Sequence, residues 1–482
     1  MRMVLNGKKV DATNHCEIPV YNPATHKIID TVPNATEKDV DLALDYAKQG
    51  AKIWGRTPVG ERVSILIKAA GILEENSKEM ADLLCAELGR PYKQCLDEAA
   101  SVGETFRSFA EKAKHSCCEM LPSDVTDMVV VKREPLGVVA CIIPFNFPIG
   151  LYAFKAAPAL AAGNAVIVKP ASVTPLASIF MTELLLRAGI PPQALQIITG
   201  SGEKIGAQLA ASPKINAISL TGSTEVGLSV AERASRNLTR VFLELGGNDP
   251  LIIMKDADLD LAVRETIKGM FNAGQVCCAS KRVLVQKSIA EEYTNRLINA
   301  LKLLKVCEPH EKECDMGPLV SEQAACEVEN KVNQTIKQGA RCVFGGKRYN
   351  KTYFEPTVLK DVTADMDIAK DMEIFGPVVP IIEFEENDEA IKIANQTKYG
   401  LSGGVIGRDI KAALSTALKL ESGTTVVNGC GDYRTLYTPF GGHKMSGIGT
   451  EGLMLTLEEM MLTKCVALKG IVEESVSESV LR

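Results

Sequence analysis

The stretch AVIVKPASVTPLASIFMTELLLRAGIPPQALQIITG, residues 165–200, decides the fold of this chain. Two short apolar runs, AVIVK and LQIIT, flank the amphipathic run TPLASIFMTELLLRAG, whose apolar residues have helical spacing. A strand, a helix and a second strand in this order predict two parallel neighbours in a sheet, with the helix on its face. The alternation extends from Gly137 to Leu245 through VVACII, AISL and VFLEL. A doubly wound α/β domain is therefore expected.

A second series of apolar runs begins at PLIIM, residues 250–254, and continues through RVLVQ, VVPIIEF, SGGVIG and TTVVNG. It predicts a second α/β domain, and the junction between the two falls near Gly246 and Gly247. Upstream, Thr36 caps an amphipathic helix, and a helical layer is expected to about Lys114. The segment from Cys117 to Arg133 and the run LTKCVALK near the C-terminus are predicted strands without a near neighbour in sequence, which favours pairing with another subunit.

The composition is that of an ordinary folded protein. The chain has 482 residues, of which 46% are hydrophobic and 24% charged, and its formal net charge is −6, so no nucleic-acid partner is expected. The N-terminal MRMVLNGKKV lacks the apolar core of a secretory signal, which favours a cytoplasmic location. The apolar run from Val138 to Phe154 contains two prolines and is shorter than the ~20 residues of a membrane span. No membrane contact is expected.

The cysteines predict neither disulfides nor a metal site. Fourteen of them are scattered without regular spacing, which favours reduced thiols. Cys117-Cys118 and Cys277-Cys278 are direct neighbours rather than Cys-x-x-Cys pairs, so no metal is expected on them. Most of the cysteines are expected to be inert core residues.

Two glycine turns lie between a predicted strand and a predicted helix. GSGEKIG, from Gly200 to Gly206, is one residue longer than the dinucleotide fingerprint, and by itself it is equally expected to be a bare loop. TGSTEVG, from Thr221 to Gly227, offers Ser223 and free backbone amides at a helix N-terminus. Two such turns in one sheet favour a dinucleotide site.

Two further stretches carry reactive side chains. FNAGQVCCAS, residues 271–280, presents two adjacent cysteines, and the chain has only five histidines, so a cysteine–histidine arrangement is poorly supported. In LELGGNDP, residues 243–250, Glu244 ends an apolar strand, and burial there would raise its pKa towards that of a general base. The alternative is a glutamate that simply caps the neighbouring helix.

These two stretches and PFNFP (144–148), VKP (168–170), GSTEVG (222–227), EIFGPV (373–378) and PFGGHKMSG (439–447) together resemble the aldehyde dehydrogenase superfamily, collinearly over about residues 17 to 468. The resemblance implies two doubly wound parallel-sheet domains, one Rossmann-like for the cofactor and one catalytic, plus a small β element for oligomerisation. The implied boundaries are residues 1–116 and 135–246 for the NAD(P)-binding domain, 247–450 for the catalytic domain, and 117–134 and 451–482 for the oligomerisation strands and the tail. After Gly470 the acidic tail is expected to fray.

The resemblance also implies the chemistry. Cys277 is the nucleophile, Glu244 the general base, and Asn146 an oxyanion donor together with the Cys277 backbone N–H. The thiolate adds to an aldehyde, hydride leaves for the nicotinamide, and the thioester that remains is hydrolysed to a carboxylic acid by water that Glu244 deprotonates. Lys169 is expected on the adenosine ribose, Ser223 on the pyrophosphate and Glu373 on the nicotinamide ribose. The implied cofactor-binding positions are Ile143, Phe145, Lys169, Ser172, Gly202, Gly206, Gly222, Ser223, Val226, Leu245, Glu373 and Phe375.

Ser172 departs from the pattern of many NAD-specific relatives, which carry a glutamate three residues after the lysine for the ribose 2′-hydroxyl. Without that carboxylate a 2′-phosphate is not repelled, so NADP is expected to be accepted or even preferred, with NAD as the alternative.

The substrate side is less specific. Phe154 stands where succinate-semialdehyde relatives carry an arginine, which disfavours a dicarboxylic semialdehyde. The loop GCGDYRTLYTPFGG resembles that of lactaldehyde- and phosphonoacetaldehyde-type members. Candidate pocket residues are Arg107, Phe154, Tyr433, Arg434 and Phe440. Arg434 either holds a substrate anion or, as the favoured alternative, pairs with Asp432 or solvent.

Three rival functions stay open. A coenzyme A-acylating member would usually lack Glu244, a non-catalytic binding or structural homologue would not need Cys277, and a cysteine hydrolase would work without nucleotide. The expected partner is a small-molecule aldehyde, and the expected assembly is a homodimer or a homotetramer.

Overall fold

The computed structural model describes residues 1–116, 118–122 and 127–471. The predictions for Cys117 and for the tail from residue 472 onward lie outside these residues. The strands are, in chain order, β1 (Met3–Leu5), β2 (Lys8–Val10), β3 (Glu17–Tyr21), β4 (Ile28–Pro33), β5 (Glu119–Leu121), β6 (Met128–Pro135), β7 (Val138–Ile142), β8 (Ala165–Lys169), β9 (Leu195–Ile197), β10 (Ala217–Thr221), β11 (Arg240–Glu244), β12 (Asp249–Ile253), β13 (Ser280–Gln286), β14 (Arg341–Phe344), β15 (Arg348–Tyr349), β16 (Tyr353–Phe354), β17 (Thr357–Val362), β18 (Val378–Phe384), β19 (Tyr399–Gly400), β20 (Ser402–Ile406), β21 (Thr424–Val427), β22 (His443–Lys444), β23 (Gly447–Ile448) and β24 (Met461–Leu468).

The helices are α1 (Glu37–Trp54), α2 (Val59–Glu75), α3 (Ser77–Leu88), α4 (Tyr92–Ala113), α5 (Gly150–Ala162), α6 (Leu176–Ala188), α7 (Ala207–Ala211), α8 (Thr224–Ser235), α9 (Leu259–Lys268), α10 (Lys287–Leu301), α11 (Glu322–Lys337), α12 (Asn387–Asn395), α13 (Ile410–Ala417) and α14 (Leu453–Glu459). The helical layer predicted from Thr36 to about Lys114 is confirmed as α1 to α4. Among the described residues, no helix is both long enough and apolar enough to cross a membrane.

The first large sheet has the order β2-β1-β9-β8-β7-β10-β11-β23. Its centre, β9 to β11 in that order, is parallel, as the alternation of strands and helices predicts. The antiparallel hairpin β1-β2 at one edge is absent from the predicted elements, although its turn carries a signal. Asn6 and Gly7 both have positive φ there, 50° and 73°, which is what an Asn-Gly hairpin turn requires.

The second large sheet has the order β14-β17-β18-β13-β12-β20-β21 and is parallel except for the edge strand β14. The chain passes from the first sheet to the second between Glu244, the last residue of β11, and Asp249, the first of β12. A third sheet, β24-β6-β5, is antiparallel. Two doubly wound α/β units with a small β element are therefore confirmed as the fold class.

The third sheet corrects one prediction. The segment before Arg133 and the run LTKCVALK do have a partner in the chain, because β6 and β24 pair with each other along their whole length, Thr463 opposite Arg133. The side chains of these two residues, 330 positions apart, join in a hydrogen bond of 2.6 Å. No local pattern can reveal so distant a pairing. The outer strand β24 is exposed along nearly its whole length.

Arg282 on β13 is a buried side chain that connects several chain segments around the second sheet. Its side chain is 0% exposed, and burial lowers its pKa to about 10. Its guanidinium donates hydrogen bonds of 2.6 to 3.1 Å to the backbone carbonyls of Asn248, Ala369, Ile393 and Ala394. One side chain therefore satisfies four carbonyl groups from three separate segments.

Arg282→Met is expected to lower the free energy of unfolding by about 3 kcal/mol or more, because it leaves buried carbonyls without a donor. The measurement is urea unfolding followed by tryptophan fluorescence and circular dichroism. Arg341→Met is the control, since Arg341 forms an exposed pair with Asp361 and exposed pairs contribute little. Equal midpoints for the two variants would contradict the role of Arg282.

Candidate active site

Cys277 follows a backbone turn that few sequences can adopt. Asn272 and Ala273 both have φ of 52°, and Gly274 has φ of 74°. The left-handed region is disfavoured for residues with a Cβ, by roughly 1–2 kcal/mol each. At Gly274 a Cβ would overlap the carbonyl oxygen of Gly376, so no other residue fits. The position of the cysteine is thus set by a constrained turn.

Amide side chains hold this turn against the loop PFNFP. Asn146 is buried, and its Nδ2 donates to the backbone carbonyl of Gln275 at 3.0 Å. Gln275 in turn donates from Nε2 to the carbonyl of Asn272 at 3.0 Å. Its Oε1 accepts from the backbone N–H of Val320, also at 3.0 Å. The sequence-predicted Asn146 and Cys277 are therefore brought together through Gln275.

Cys277 lies between two cavities. One has a volume of about 660 Å³, the other about 490 Å³, and Cys277 lines both. The larger cavity is also lined by seven of the predicted residues: Phe145, Asn146, Gly222, Ser223, Leu245, Glu373 and Phe375. The smaller one is lined by the predicted Phe154 and Arg434, with Cys278, Asp432 and the phenylalanines 147 and 271. Cys277 is thus a residue that the two cavities share.

The surroundings of Cys277 favour the thiolate. Its pKa is lowered by a hydrogen bond with the Cys278 thiol and by the positive charges of Lys281 and Arg434, which together outweigh burial. The pKa of Cys278 is raised, first by that same hydrogen bond and then by burial. Cys278 is only 4% exposed and donates from Sγ to Asp432 Oδ1 at 3.4 Å. The structure therefore distinguishes the two sulfurs, and Cys277 is the more acidic.

Glu244 is a buried carboxyl group at the end of β11. Burial, and after it the negative charge of Glu451, raises its pKa well above the ordinary value. Its Oε2 has no hydrogen-bond partner among the described residues. The side chain lines neither of the two cavities at Cys277. The negative charge of the Cys277 thiolate also raises the pKa of Glu244.

Three buried charges from distant segments meet beside Glu244. Lys155 on α5 pairs with Glu451 Oε1 at 2.6 Å, and Arg434 pairs with the other oxygen of Glu451. Burial alone would raise the pKa of Glu451, but these two cations lower it. Arg434 lies between the rings of Phe154 and Phe440, at 4.4 and 4.3 Å from their centres. The expectation that Arg434 pairs with Asp432 or solvent is therefore wrong, because Glu451 takes that place.

The residues predicted for the distal part of the cofactor, Lys169, Ser172, Gly202 and Gly206, do not line the larger cavity, although Ala171 between the first two does. Lys169 ends β8, donates to the Pro170 carbonyl at 2.9 Å, and burial lowers its pKa to about 8. A Cβ on Gly202 would lie 3.9 Å from its Nζ. Ser172 donates to the carbonyl of Gly200 at 2.8 Å. The glycine turn up to Gly206 is a single π-helical turn that leads into α7.

Within the lining of that cavity, Ser223 caps α8 and accepts from the Val226 amide at 3.3 Å. The rings of Phe145 and Phe375 pack edge to face with centres 5.9 Å apart. Glu373 accepts from the Gly247 amide at 3.4 Å and approaches Gly246 so closely that a Cβ there would lie 2.6 Å from its Oε2. The absence of a side chain at Gly246 thus leaves room for this position of Glu373.

Some predicted residues lie elsewhere. The Ile143 backbone N–H donates to the Lys169 carbonyl, but Ile143 and the exposed Val226 do not line the large cavity. Arg107 pairs with Glu74 at 2.6 Å on the helical layer and does not line the smaller cavity. Tyr433 is exposed. Within the described ranges, no cluster of three or more His, Cys, Asp and Glu side chains is arranged to hold a metal ion.

The sequence analysis did not assign Lys155, Glu451 or Lys281. Lys155 has a visible signal, because it is the single charged residue in α5, whereas Lys281 directly precedes the predicted strand RVLVQ and lies inside the observed β13. Glu451 carries no comparable signal.

Three comparisons bear on this geometry. The sequence profile of the aldehyde dehydrogenase family matches residues 10–466. Lactaldehyde dehydrogenase of Methanococcus aeolicus is 37% identical over 469 residues, which cover 96% of this chain and 99% of that one. The NADP⁺-dependent succinate-semialdehyde dehydrogenase of Escherichia coli is 34% identical, with coverage of 96% and 97%. The crystal structure of betaine aldehyde dehydrogenase from Staphylococcus aureus in complex with NAD⁺ superimposes with a TM-score of 0.95 at 32% identity, covering 98% of this chain and 95% of that one.

Proposed function

The chain belongs to the aldehyde dehydrogenase family, and from that premise we propose that the larger cavity at Cys277 receives the nicotinamide cofactor and the smaller one the aldehyde. The reaction is the oxidation of an aldehyde with NAD or NADP. The observation that carries the assignment is that Cys277 lines both cavities. An aldehyde bound to its sulfur can be approached by a coenzyme from the opposite side.

The large cavity suits a dinucleotide. Thr221 lines it, and the Oγ1 of this residue is buried without a hydrogen-bond partner among the described residues. Ser223 opens the twelve-residue helix α8, whose N-terminal amides favour a pyrophosphate. Lys169 is assigned to the adenosine ribose and Glu373 to the nicotinamide ribose. When bound, the nicotinamide ring accepts the hydride of the reaction.

In the proposed mechanism, the Cys277 thiolate adds to the carbonyl carbon of the aldehyde. The resulting oxyanion is stabilised by the side-chain amide of Asn146 and the backbone N–H of Cys277. Asn146 uses one of its two N–H groups on Gln275, which leaves the other for the oxyanion. After oxidation the acyl group remains on Cys277 as a thioester.

Glu244 is the proposed base for hydrolysis of that thioester. Because its side chain lies outside both cavities, it must rotate towards Cys277 to reach an attacking water. No hydrogen bond in the described chain holds its Oε2 in place. The raised pKa suits a group that accepts a proton near neutral pH.

We further assign a short neutral or hydroxylated aldehyde as the substrate class, with lactaldehyde as the first candidate. Arg434 lines the smaller cavity, but its guanidinium pairs with Glu451 and packs on the Phe154 ring. Its hydrogen-bonding capacity is therefore partly taken up within the protein, which disfavours a substrate carboxylate as its partner. The M. aeolicus lactaldehyde dehydrogenase supports this choice.

The test is initial-rate absorbance of reduced nicotinamide over a panel of short aliphatic aldehydes, lactaldehyde, glyceraldehyde and semialdehydes, with NADP and NAD in parallel. Turnover without coenzyme A is expected. A rate that depends on added coenzyme A would indicate that the acyl group is transferred to coenzyme A and not hydrolysed with the help of Glu244. Ester cleavage that ignores nucleotide would indicate a hydrolase, and silence across the panel would favour a binding role.

Ser172→Glu is expected to lower kcat/KM with NADP by about 30-fold, the factor that corresponds to about 2 kcal/mol of like-charge repulsion against a 2′-phosphate. The rate with NAD should change by only a few-fold. Ser172→Gln is the matched control, since it adds the same bulk without charge. Equal losses for NADP in both variants would point to crowding beside Gly200 rather than to charge.

We also propose that the free edge of β24 pairs with a second copy of the chain, giving a homodimer or homotetramer. β24 is exposed along nearly all of its length, and among the residues that the structure describes it pairs with β6 alone. Light scattering coupled to gel filtration gives the number of subunits. A monomer would contradict the proposal.

A further inference from the structure

Lys281 is a buried lysine that the proposed mechanism does not use. It is the second residue of β13, and its side chain is only 4% exposed. Its Nζ donates to the backbone carbonyl of Cys277 at 2.5 Å and pairs with Glu373 Oε1 at 3.2 Å. The same ammonium lies 5.8 Å from the ring centre of Phe375. One cation thus contacts both the cysteine loop and the wall of the cofactor cavity.

The ammonium stays charged despite its burial. Burial alone would lower the pKa of Lys281, but the charges of Glu373, Asp249 and Cys277 raise it above its ordinary value. Asp249 lies on the neighbouring strand β12, where its position pairs with Ser280. Burying a charge is costly unless it is paired, and the partners of this ammonium are the Glu373 carboxylate and the Cys277 carbonyl. The neighbouring Arg282, by contrast, bonds to carbonyls away from Cys277.

We propose that Lys281 is a positioning residue that ties the Cys277 loop to the Glu373 carboxylate of the cofactor cavity and supports the reactive form of the thiol. This inference rests on the roles proposed above for Cys277 and Glu373. Through its hydrogen bond to the Cys277 carbonyl, Lys281 fixes the peptide that carries the nucleophile. Through its ion pair it holds Glu373 in place beside Gly246.

Other charges act on the same sulfur and have to be kept constant. The titratable and charged groups that interact with Cys277 are Cys278, Lys281, Arg434, Asp249 and Glu244. Of the two cations, Arg434 forms an ion pair with Glu451, whereas Lys281 donates a hydrogen bond to the backbone carbonyl of Cys277 itself. Removing the charge of Lys281 while leaving the others intact therefore isolates its effect.

The first test is the rate at which iodoacetamide alkylates Cys277 as a function of pH, in the full-length protein without coenzyme or substrate. Tandem mass spectrometry of the peptide distinguishes Cys277 from Cys278. In Lys281→Met the rate at pH 7 is expected to fall about fivefold, because loss of the charge reduces the thiolate fraction while the more basic thiolate gains some nucleophilicity. The pH at which alkylation is half-maximal is expected to rise, and Lys281→Arg is expected to restore most of the rate.

Lys281→Gln separates charge from hydrogen bonding, since a glutamine side chain can still donate to a carbonyl. It should alkylate as slowly as Lys281→Met. A Lys281→Gln profile that superimposes on that of the wild type would overturn the proposal, and this variant remains informative where Lys281→Met does not fold. Lys287→Met is the control, because Lys287 follows the same strand and pairs with Glu385 at an exposed position. It should leave the profile unchanged.

A second readout concerns Glu373. If Lys281 orients that carboxylate, Lys281→Met should raise KM for the coenzyme about threefold, the factor that corresponds to roughly 0.7 kcal/mol, in addition to its effect on the thiol. An unchanged KM would remove the link to the cofactor cavity. Because alkylation is measured without turnover, a protein that oxidises none of the tested aldehydes would still report on Lys281.

Discussion

Cys277→Ala is expected to lower kcat/KM for aldehyde oxidation by at least about 10⁴-fold, since without the sulfur no covalent adduct forms and hydride transfer lacks its substrate. The measurement is the steady-state rate with the best aldehyde of the panel. Coenzyme binding, followed by quenching of protein fluorescence, should persist, because the large cavity is lined mainly by other residues. The variant would thus separate binding from chemistry.

Cys278→Ala is the matched control for the nucleophile. Its side chain is 4% exposed, and its thiol supports Cys277 by a hydrogen bond. We expect a loss of only about threefold to tenfold, within the 0.5–1.5 kcal/mol that one such hydrogen bond contributes. If Cys278→Ala were as inactive as Cys277→Ala while both proteins kept the melting temperature of the wild type, the assignment of a single nucleophile would fail.

Glu244→Gln is expected to lower kcat by about 10²- to 10³-fold, the range typical for loss of a general base. Unlike the cysteine variant, it should still form the thioester. Rapid mixing should therefore show a burst of reduced coenzyme of about one equivalent per active site, followed by a slow phase. Intact mass spectrometry should detect the acyl group. Glu232→Gln, an exposed position on α8, should behave as the wild type.

The pH dependence of kcat should also report the role of Glu244 as the base. A base must be deprotonated to act, so hydrolysis should become faster as pH rises through the pKa of Glu244. Because burial raises that pKa, the acidic limb should lie above the ordinary range for a glutamate, and Glu244→Gln should lose it. An acidic limb that persists in Glu244→Gln would assign the proton acceptor to another group.

The elements that sequence alone could predict are those with a local signal. The runs AVIVK and VVPIIEF became β8 and β18 within a residue or two of their quoted bounds, because a buried parallel strand is continuously apolar. The Asn-Gly turn at Asn6 and Gly7 is a comparable local signal, for the β1-β2 hairpin. By contrast, the pairing of β6 with β24 depends on residues on two chain segments that no local periodicity relates.

The site divides in the same way. Cys277, Asn146 and Glu244 lie in motifs, and a motif fixes both the residue type and the turn that presents it. The group formed by Lys155, Arg434 and Glu451 has no motif, since its members come from separate parts of the chain and meet only in the folded structure. The charges of this group act on the pKa of Glu244. The size of that effect depends on distance and burial rather than on sequence spacing.

The meeting of two cavities at one residue also bears on the order in which products leave. With the coenzyme in the larger cavity and the aldehyde in the smaller one, as proposed, a spent coenzyme can depart without passing the acyl group, and the acid can depart without passing the coenzyme. This arrangement imposes no fixed sequence of release.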